Sequence, residues 1–523
     1  MNILLTAINA KYIHSNLAVY SLRACAGEYR DAVELAEYTI NNQKDYILEE
    51  LYKRKPDVLC FSCYIWNIDY VTDIAREYKK LCPSVPIWVG GPEVSYEVEA
   101  FLRENPYIDG VMIGEGEDTF RELCGYYAHK RKLSDIAGIA FRKNSTGNST
   151  SVNNIGGNKA GEIVFTSPRP IKNMSEIPFC YDTLDDFSNR IIYYESSRGC
   201  PFSCSYCLSS VDKTLRFRDT EIVKRELKFF IDQKVPQIKF VDRTFNCNHA
   251  HAMELWRFIK ANDNGVTNFH FEISADLLNQ EELELISDMR PGLIQLEIGV
   301  QSTNEVTIKE IHRTMKLERL KEVVRLIQSG NNIHEHLDLI AGLPYEDYDS
   351  FGRSFDEIYE LKPNQLQLGF LKVLKGSYMF EHAAEYGIVY HDKPPYEVMS
   401  TKWLSFDDVI KIKRVEDMLE VYYNSGQFEI TMKLMECIFD SAFEFFQELG
   451  DFYEANGYFG MSHSRIRRCE ILLEFLALYL HGCDSDAMTS VGLFENHGDR
   501  DNTDFDENAQ IYSMIQESLI FDL

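Results

Sequence analysis

The chain has no run of about 18 consecutive apolar residues, which excludes a membrane-spanning helix. Its opening, MNILLTAINAKYIHS, lacks the long apolar core and small-residue cleavage site of a secretory signal, so a cytoplasmic protein is expected. Positive charge is scarce: 54 Lys and Arg stand against 82 Asp and Glu, a net charge of −28. Nucleic-acid binding rests on Lys and Arg neutralising phosphates, so this balance speaks against it. Much of the acidity is C-terminal. After Cys483 there are ten acidic residues and Arg500 alone in opposition, which reads as a solvated, partly disordered tail.

What is plentiful is cysteine. Thirteen cysteines, an odd number, in 523 residues do not fit a disulfide framework in such a chain. A tight cluster of them points instead to metal or cofactor chemistry.

The order of elements predicts an α/β protein. Short apolar runs at NILLTAI, DVLCFSCYI, IWVGGPEV and GVMIGEGED alternate with helical stretches such as Leu17 to Ala26. Runs of this kind predict a parallel sheet covered on both faces, a doubly wound Rossmann-like domain over residues 1–140. Residues 141–190 hold an Asn, Ser, Thr and Gly-rich stretch and a Pro-punctuated one, and read as a linker. Six further strands, from RIIYYESS to QLQLGFLKVL, alternate with helices over 191–395, as in a partial (β/α)6 barrel. Residues 396–523 read as an α-helical extension ending in the acidic tail. Cys60 and Cys63 fall in a buried-strand run and read as core.

Chemistry concentrates in YYESSRGCPFSCSYCLSS. Cys200, Cys204 and Cys207 are spaced C-x3-C-x2-C. By composition alone about 0.008 such spacings are expected in the chain, so coincidence is a poor account. A structural zinc wants four closed ligands, usually as two pairs. No second pair stands nearby; Cys180 and Cys247 are isolated. A 4Fe-4S cluster is normally held by four thiolates, and three leave one iron open to another ligand.

C-x3-C-x2-C after a barrel's first strand resembles the radical S-adenosylmethionine (SAM) superfamily. The resemblance implies that the open iron binds SAM, and that an electron from the cluster cleaves SAM to methionine and a 5'-deoxyadenosyl radical. Tyr206 fills the family's aromatic slot before the last cysteine. LEIGVQS, with Glu297, Gly299, Gln301 and Ser302, resembles the element that holds the ribose and methionine parts of SAM. DLIAGLP, with Asp338, is a further recurring element, and LKVLKGS, with Leu374, resembles the segment whose backbone meets adenine. FVDRTFN departs from the pattern: Asp242 and Arg243 stand where relatives usually show two acidic residues. Both remain candidate SAM contacts. Tyr345 stands where glycine is common.

No G-x-G-x-x-G follows the first strand, so a dinucleotide is not expected. Gly90 and Gly91 in GGPEVS, with Gly114 and Gly116 in GEGEDTF, resemble the cobalamin-binding domain of the cobalamin-dependent radical SAM class. Glycines let a backbone approach a bulky ligand. The D-x-H-x-x-G cobalamin signature is absent. Tyr12, His14, Tyr64, Trp66 and Glu93 are candidate lining residues, and no histidine is expected on cobalt. The helical end resembles the uncharacterised extension of one subgroup.

The leading expectation is an enzyme that methylates an unactivated carbon of a small-molecule or peptide substrate. It would use a 4Fe-4S cluster, SAM and cobalamin, with flavodoxin or ferredoxin as electron donor, and act as a monomer. Cyclisation or rearrangement with the same cofactors is the alternative. A tRNA methylthiotransferase would need a second three-cysteine set, from among Cys25, Cys60, Cys63, Cys82 and Cys124. A non-enzymatic cobalamin sensor would leave SAM uncleaved. The substrate is not written in the sequence.

Overall fold

A computed structural model describes residues 1–143, 161–187, 189–211, 213–481 and 502–523. The chain forms two compact units, one of residues 1–298, 311–334 and 372–398, the other of 299–310, 335–371 and 399–523.

In the first unit, strands β1 (Ile3–Asn9), β2 (Val33–Thr39), β3 (Val58–Ser62), β4 (Ile87–Gly90), β5 (Gly110–Met112), β6 (Ile139–Lys143) and β7 (Glu162–Phe165) form one sheet, ordered β2-β1-β3-β4-β5-β6-β7. The first five are parallel and the last two antiparallel. All seven residues of β1 are buried, as expected of a strand covered on both faces. The helix Ile68–Leu81 buries Ile68, Val71, Ala75 and Tyr78 on one face, at the three- and four-residue spacing that keeps side chains aligned. The chain order crosses over between β1 and β3, and in such sheets ligands bind beyond the strand ends at that crossover.

Two features differ from the sequence reading. VELAEYT forms β2, although its charged residues obscure the apolar signal; as an edge strand it leaves Glu34, Leu35 and Glu37 partly exposed. The sheet also continues through β6, which straddles the boundary read at residue 140, and through β7, inside the stretch read as linker. The Asn/Ser/Gly-rich residues 144–160 lie outside the described residues.

The same unit carries β8 (Ile192–Tyr194), the two-residue ladder β9 (Ser197–Arg198) with β10 (Arg216–Phe217), β11 (Gln237–Phe240), β12 (Asn268–Ile273) and most of β13 (Ile294–Gln301). β8, β11, β12 and β13 are parallel neighbours in that order. Most of β14 (His334–Ala341) lies in the second unit, where it pairs in parallel with β15 (Gln365–Phe370). All six strands marked in the sequence are therefore present.

The second unit also holds the helices from Phe406 onward. Part of the acidic tail, 482–501, lies outside the described residues. Residues 502–522, read as solvated tail, form a helix. Ile515 and Leu519, one turn apart, are buried. The Asp522 carboxylate accepts from Ile430 N and Thr431 N at the start of helix Glu429–Ile438, an N-terminal cap supplied from elsewhere in the chain.

Candidate cluster loop and cofactor cavity

The cysteine loop follows β8 and is fixed at its middle. Ser205 donates its N–H to Ile311 O at 2.9 Å and accepts from Met379 N at 2.9 Å. Cys204 is buried, and Cys200 and Cys207 are partly so. The Cys200 thiol is pushed up chiefly by burial, with a contribution from Cys207 and Cys204 nearby. Cys200 Sγ also lies 3.9 Å from Thr244 Oγ1. Among the described residues no three Cys, His, Asp or Glu side chains could hold a single metal ion. A cluster asks for something different, since each thiolate takes its own iron atom. Three thiols close enough to feel one another, on a loop held by two long-range backbone bonds, fit that demand.

Arg313 is a residue the sequence reading missed. Its guanidinium is buried and points Nη1 at Cys204 Sγ (3.9 Å) and Tyr206 Oη (3.1 Å). The only sequence signal was a lone arginine in IHRTM. Tyr206, half-buried beside it, has its phenol pushed upward by desolvation.

Asp242 is placed otherwise than expected. It is 1% exposed, and its carboxylate accepts from Ser196 N (2.7 Å), Ser196 Oγ (2.5 Å) and Ser197 Oγ (2.8 Å). Burial pushes it up to about 6 despite these donors. With both oxygens occupied it anchors the strand end before the cysteines and is closed to a ligand. Its neighbour Arg243 is open, with a 57% exposed side chain and Glu272 at 3.9 Å.

Glu297 lies inside β13, not at its end. Lys239 Nζ is 2.8 Å away and His270 Nε2 2.9 Å. Burial alone would raise this carboxyl, but His270 and Lys239 outweigh it and hold it down to about 2. Leu374, half-buried, accepts from Ser377 N and Oγ, which closes a turn after β15. Gly376 in that turn has φ +83°, and a Cβ there would fall 2.2 Å from the Tyr96 ring.

Gln301, Ser302 and Asp338 belong to the second unit. Gln301 has φ +77°, and its side-chain oxygen is buried with no hydrogen-bond partner among the described residues, an acceptor ready for a ligand. The Ser302 hydroxyl instead donates to Glu346 (2.6 Å) and accepts from Asn304 N (3.0 Å), so it shapes the turn. Glu346 is pushed up to about 7 by burial. Asp338 Oδ1 is 3.1 Å from His336 Nε2.

A cavity of about 620 Å³ opens at the strand ends of the first unit. Gly90, Gly91, Gly114, Gly116, Tyr64 and Tyr96 line it, as do Glu195, Arg198 and Arg243 from the strand ends that follow. The volume suits a small-molecule or cofactor site. Gly114 has φ +75° and nothing within 4 Å of a built Cβ, leaving open space for a ligand. Gly91 serves the fold instead: a Cβ there would meet Cys63 O at 2.3 Å. Most charged lining groups are tied in short ion pairs. Arg198 meets Glu195 at 2.7 Å and Glu117 at 2.8 Å, Arg218 meets Glu226 at 2.7 Å, and Glu115 meets Arg216 at 2.5 Å.

Four expected lining residues are not part of that cavity. Tyr12 is 68% exposed, under the Arg190 guanidinium. His14 Nδ1 lies 2.7 Å from Tyr193 Oη, and its backbone bridges to Ile191, so it docks on β8. Glu93 accepts a hydrogen bond from Tyr396 Oη. Trp66 stacks on Tyr64 with ring centroids 4.4 Å apart and donates to Ile8 O. Cys60, Cys63 and Cys124 are buried and their thiols driven upward by burial, as core residues are.

Comparison with known proteins adds three family matches: the B12 binding domain over residues 3–124, the radical SAM superfamily over 194–358, and a protein of unknown function, DUF4080, over 384–523. The chain is a cobalamin-binding-domain radical SAM protein. The cofactors of this radical SAM protein are a 4Fe-4S cluster, SAM and cobalamin. It is 27% identical over 360 residues to the cobalamin-dependent radical SAM methyltransferase TokK of Streptomyces tokunonensis, covering 64% of this chain and 49% of that one. It is 22% identical to the anaerobic magnesium-protoporphyrin IX monomethyl ester cyclase of Rubrivivax gelatinosus, covering 65% of this chain and 60% of that one. The chain thus spans about half the length of TokK. In fold it is similar to the cobalamin-dependent SAM radical enzyme OxsB, with a TM-score of 0.63 and 16% identity, covering 99% of this chain and 80% of that one. Among the described residues no helix is long and apolar enough to cross a membrane.

Proposed function

We propose that the protein is a cobalamin-dependent radical SAM methyltransferase acting on an unactivated carbon of a small-molecule or peptide substrate. One observation carries this reading. Thr244 touches Cys200 while the adjacent Arg243 lines the cavity, so a single strand end serves both the cysteine loop and the cavity.

Cys200, Cys204 and Cys207 would hold the cluster, and the cavity beside Gly90, Gly114 and Gly116 would hold cobalamin. When bound, these groups supply an electron for SAM cleavage and a methyl group for the substrate radical. The chain's own part is to place them and to keep water out. The Ser196–Asp242–Ser197 bonds fix the start of the cysteine loop. The backbone bonds of Ser205 fix its middle. Arg313 sets a buried positive charge beside Cys204, which favours added negative charge there. His14 docks on Tyr193 at the start of β8 and packs that end of the strand. Flavodoxin or ferredoxin would deliver the electron.

Anaerobically reconstituted protein should contain about four iron and one cobalt per chain and form 5'-deoxyadenosine under reduction. Comparison of metabolites with and without the protein should show a product with CH3 in place of H, a net gain of one CH2, whose added carbon carries label from SAM labelled with 13C in its methyl group. Iron and cobalt without 5'-deoxyadenosine would remove the enzyme reading and favour a sensor. The cyclase among the relatives makes ring formation the second reading; a product without the labelled carbon would decide for it.

A further inference from the structure

Among the described residues, the charges that line the cavity are held in short ion pairs with one exception. Glu195, Glu117 and Arg198 form one group, and Arg218 with Glu226 another, all at 2.7–2.8 Å. Arg243 stands apart. It meets Glu272 at 3.9 Å, with more than half of its side chain exposed. Ion pairs of that length and exposure contribute little, so the guanidinium is readily released to a better acceptor.

Its position is as informative as its pairing. Arg243 is the first residue after Asp242, whose carboxylate is locked to Ser196 and Ser197. The backbone at Arg243 is therefore fixed. The next residue, Thr244, contacts Cys200. Tyr64, on the β3 side of the same cavity, feels the charge of Arg243. Arg243 thus follows a fixed strand end, beside the residue that touches the cysteine loop, and its own side chain lines the cavity. Under the reading above, a substrate carbon must be reached from both of those places.

We infer that Arg243 is a substrate-recognition residue, and that the molecule it takes carries a carboxylate or phosphate close to the reacting carbon. A planar guanidinium pairs with either group through two parallel hydrogen bonds. Glu272 holds the side chain loosely until that anion replaces it. A neutral substrate would leave Arg243 facing Glu272 with no role in binding. The inference rests on the proposed function and narrows its substrate class to anions.

SAM also carries a carboxylate and cobalamin a phosphate, so the test separates these sources. Protein reconstituted with cluster, SAM and cob(II)alamin is titrated with acetate, with inorganic phosphate and with neutral acetamide, and the cobalt paramagnetic resonance spectrum is followed. The wild type should respond saturably to acetate or phosphate and not to acetamide. Arg243→Gln should weaken the anion response about ten-fold or more, as loss of a charge-assisted bond does. Arg243→Lys should keep part of it, and Glu272→Gln should strengthen it by removing the competing carboxylate.

Cobalt retention and the SAM-induced change in the cluster spectrum are read in the same samples. An Arg243→Gln protein that loses SAM or cobalamin binding ten-fold would assign the residue to a cofactor and overturn the inference. Loaded wild type that ignores both anions, or binds them equally after Arg243→Gln, would overturn it while leaving the proposed function standing. Wild type that binds no iron or cobalt would overturn both.

Discussion

Replacing Glu297 decides between two roles for a residue whose motif points to SAM. Its carboxylate lies between Lys239 and His270 on neighbouring strands. Its folded pKa of about 2 is below the ordinary 4.5. At about 1.4 kcal/mol per unit, this corresponds to roughly 3 kcal/mol of stabilisation. The sign follows from the direction. A depressed carboxylate stabilises the fold above its unfolded pKa, and the contribution fades as pH falls from about 4.5 towards 2. At neutral pH it is fully present. Glu297→Gln should therefore cost about 3 kcal/mol locally, because Lys239 is left as an uncompensated partly buried cation. Glu297→Gln with Lys239→Met should recover most of that loss. The chain has two compact units, so a single unfolding free energy is ill-defined. Native-state hydrogen exchange of the β11, β12 and β13 amides is the suitable assay. Equal protection in wild type and Glu297→Gln would refute the structural role. A double variant that regains protection but still fails to bind SAM would return the residue to the cofactor.

Four further outcomes are expected. Cys204→Ala should contain no intact cluster and form no 5'-deoxyadenosine, because neither Ser203 nor Ser205 can supply the missing thiolate; iron analysis and chromatography check this. His14 faces Tyr193, so cob(II)alamin in the wild type should lack nitrogen superhyperfine splitting from a protein histidine, and His14→Ala should leave the spectrum unchanged. Gly376→Ala should displace Tyr96, a wall of the cavity, and weaken cobalamin retention about ten-fold or more by absorbance titration, since a Cβ 2.2 Å from the ring cannot be accommodated. Asp522→Ala should cost about 1 kcal/mol through the lost cap on helix Glu429–Ile438 and speed proteolysis of the last helix.

The fold class and the chemistry of the cysteine loop were legible in one dimension. Apolar runs such as Ile3–Asn9 admit few alternatives to a buried strand, and C-x3-C-x2-C is local, so its spacing survives in one dimension. Edge strands and caps were harder to read. β2 mixes Glu34 and Glu37 with its apolar residues because one side meets solvent, and Asp522 caps a helix about ninety residues away. The use of each polar side chain became visible in three dimensions alone. Asp242 and Arg243 are neighbours in sequence, yet one is sealed against Ser196 and Ser197 while the other opens into the cavity. Glu297 and Ser302 lie in one motif, and both are held by partners from distant strands and turns. His14 was a candidate cavity-lining residue from its loop, and its ring meets Tyr193, 179 residues on. Hydrogen-bond donors and opposite charges select a side chain's role, and they are brought together by strand pairing and packing that no local pattern encodes.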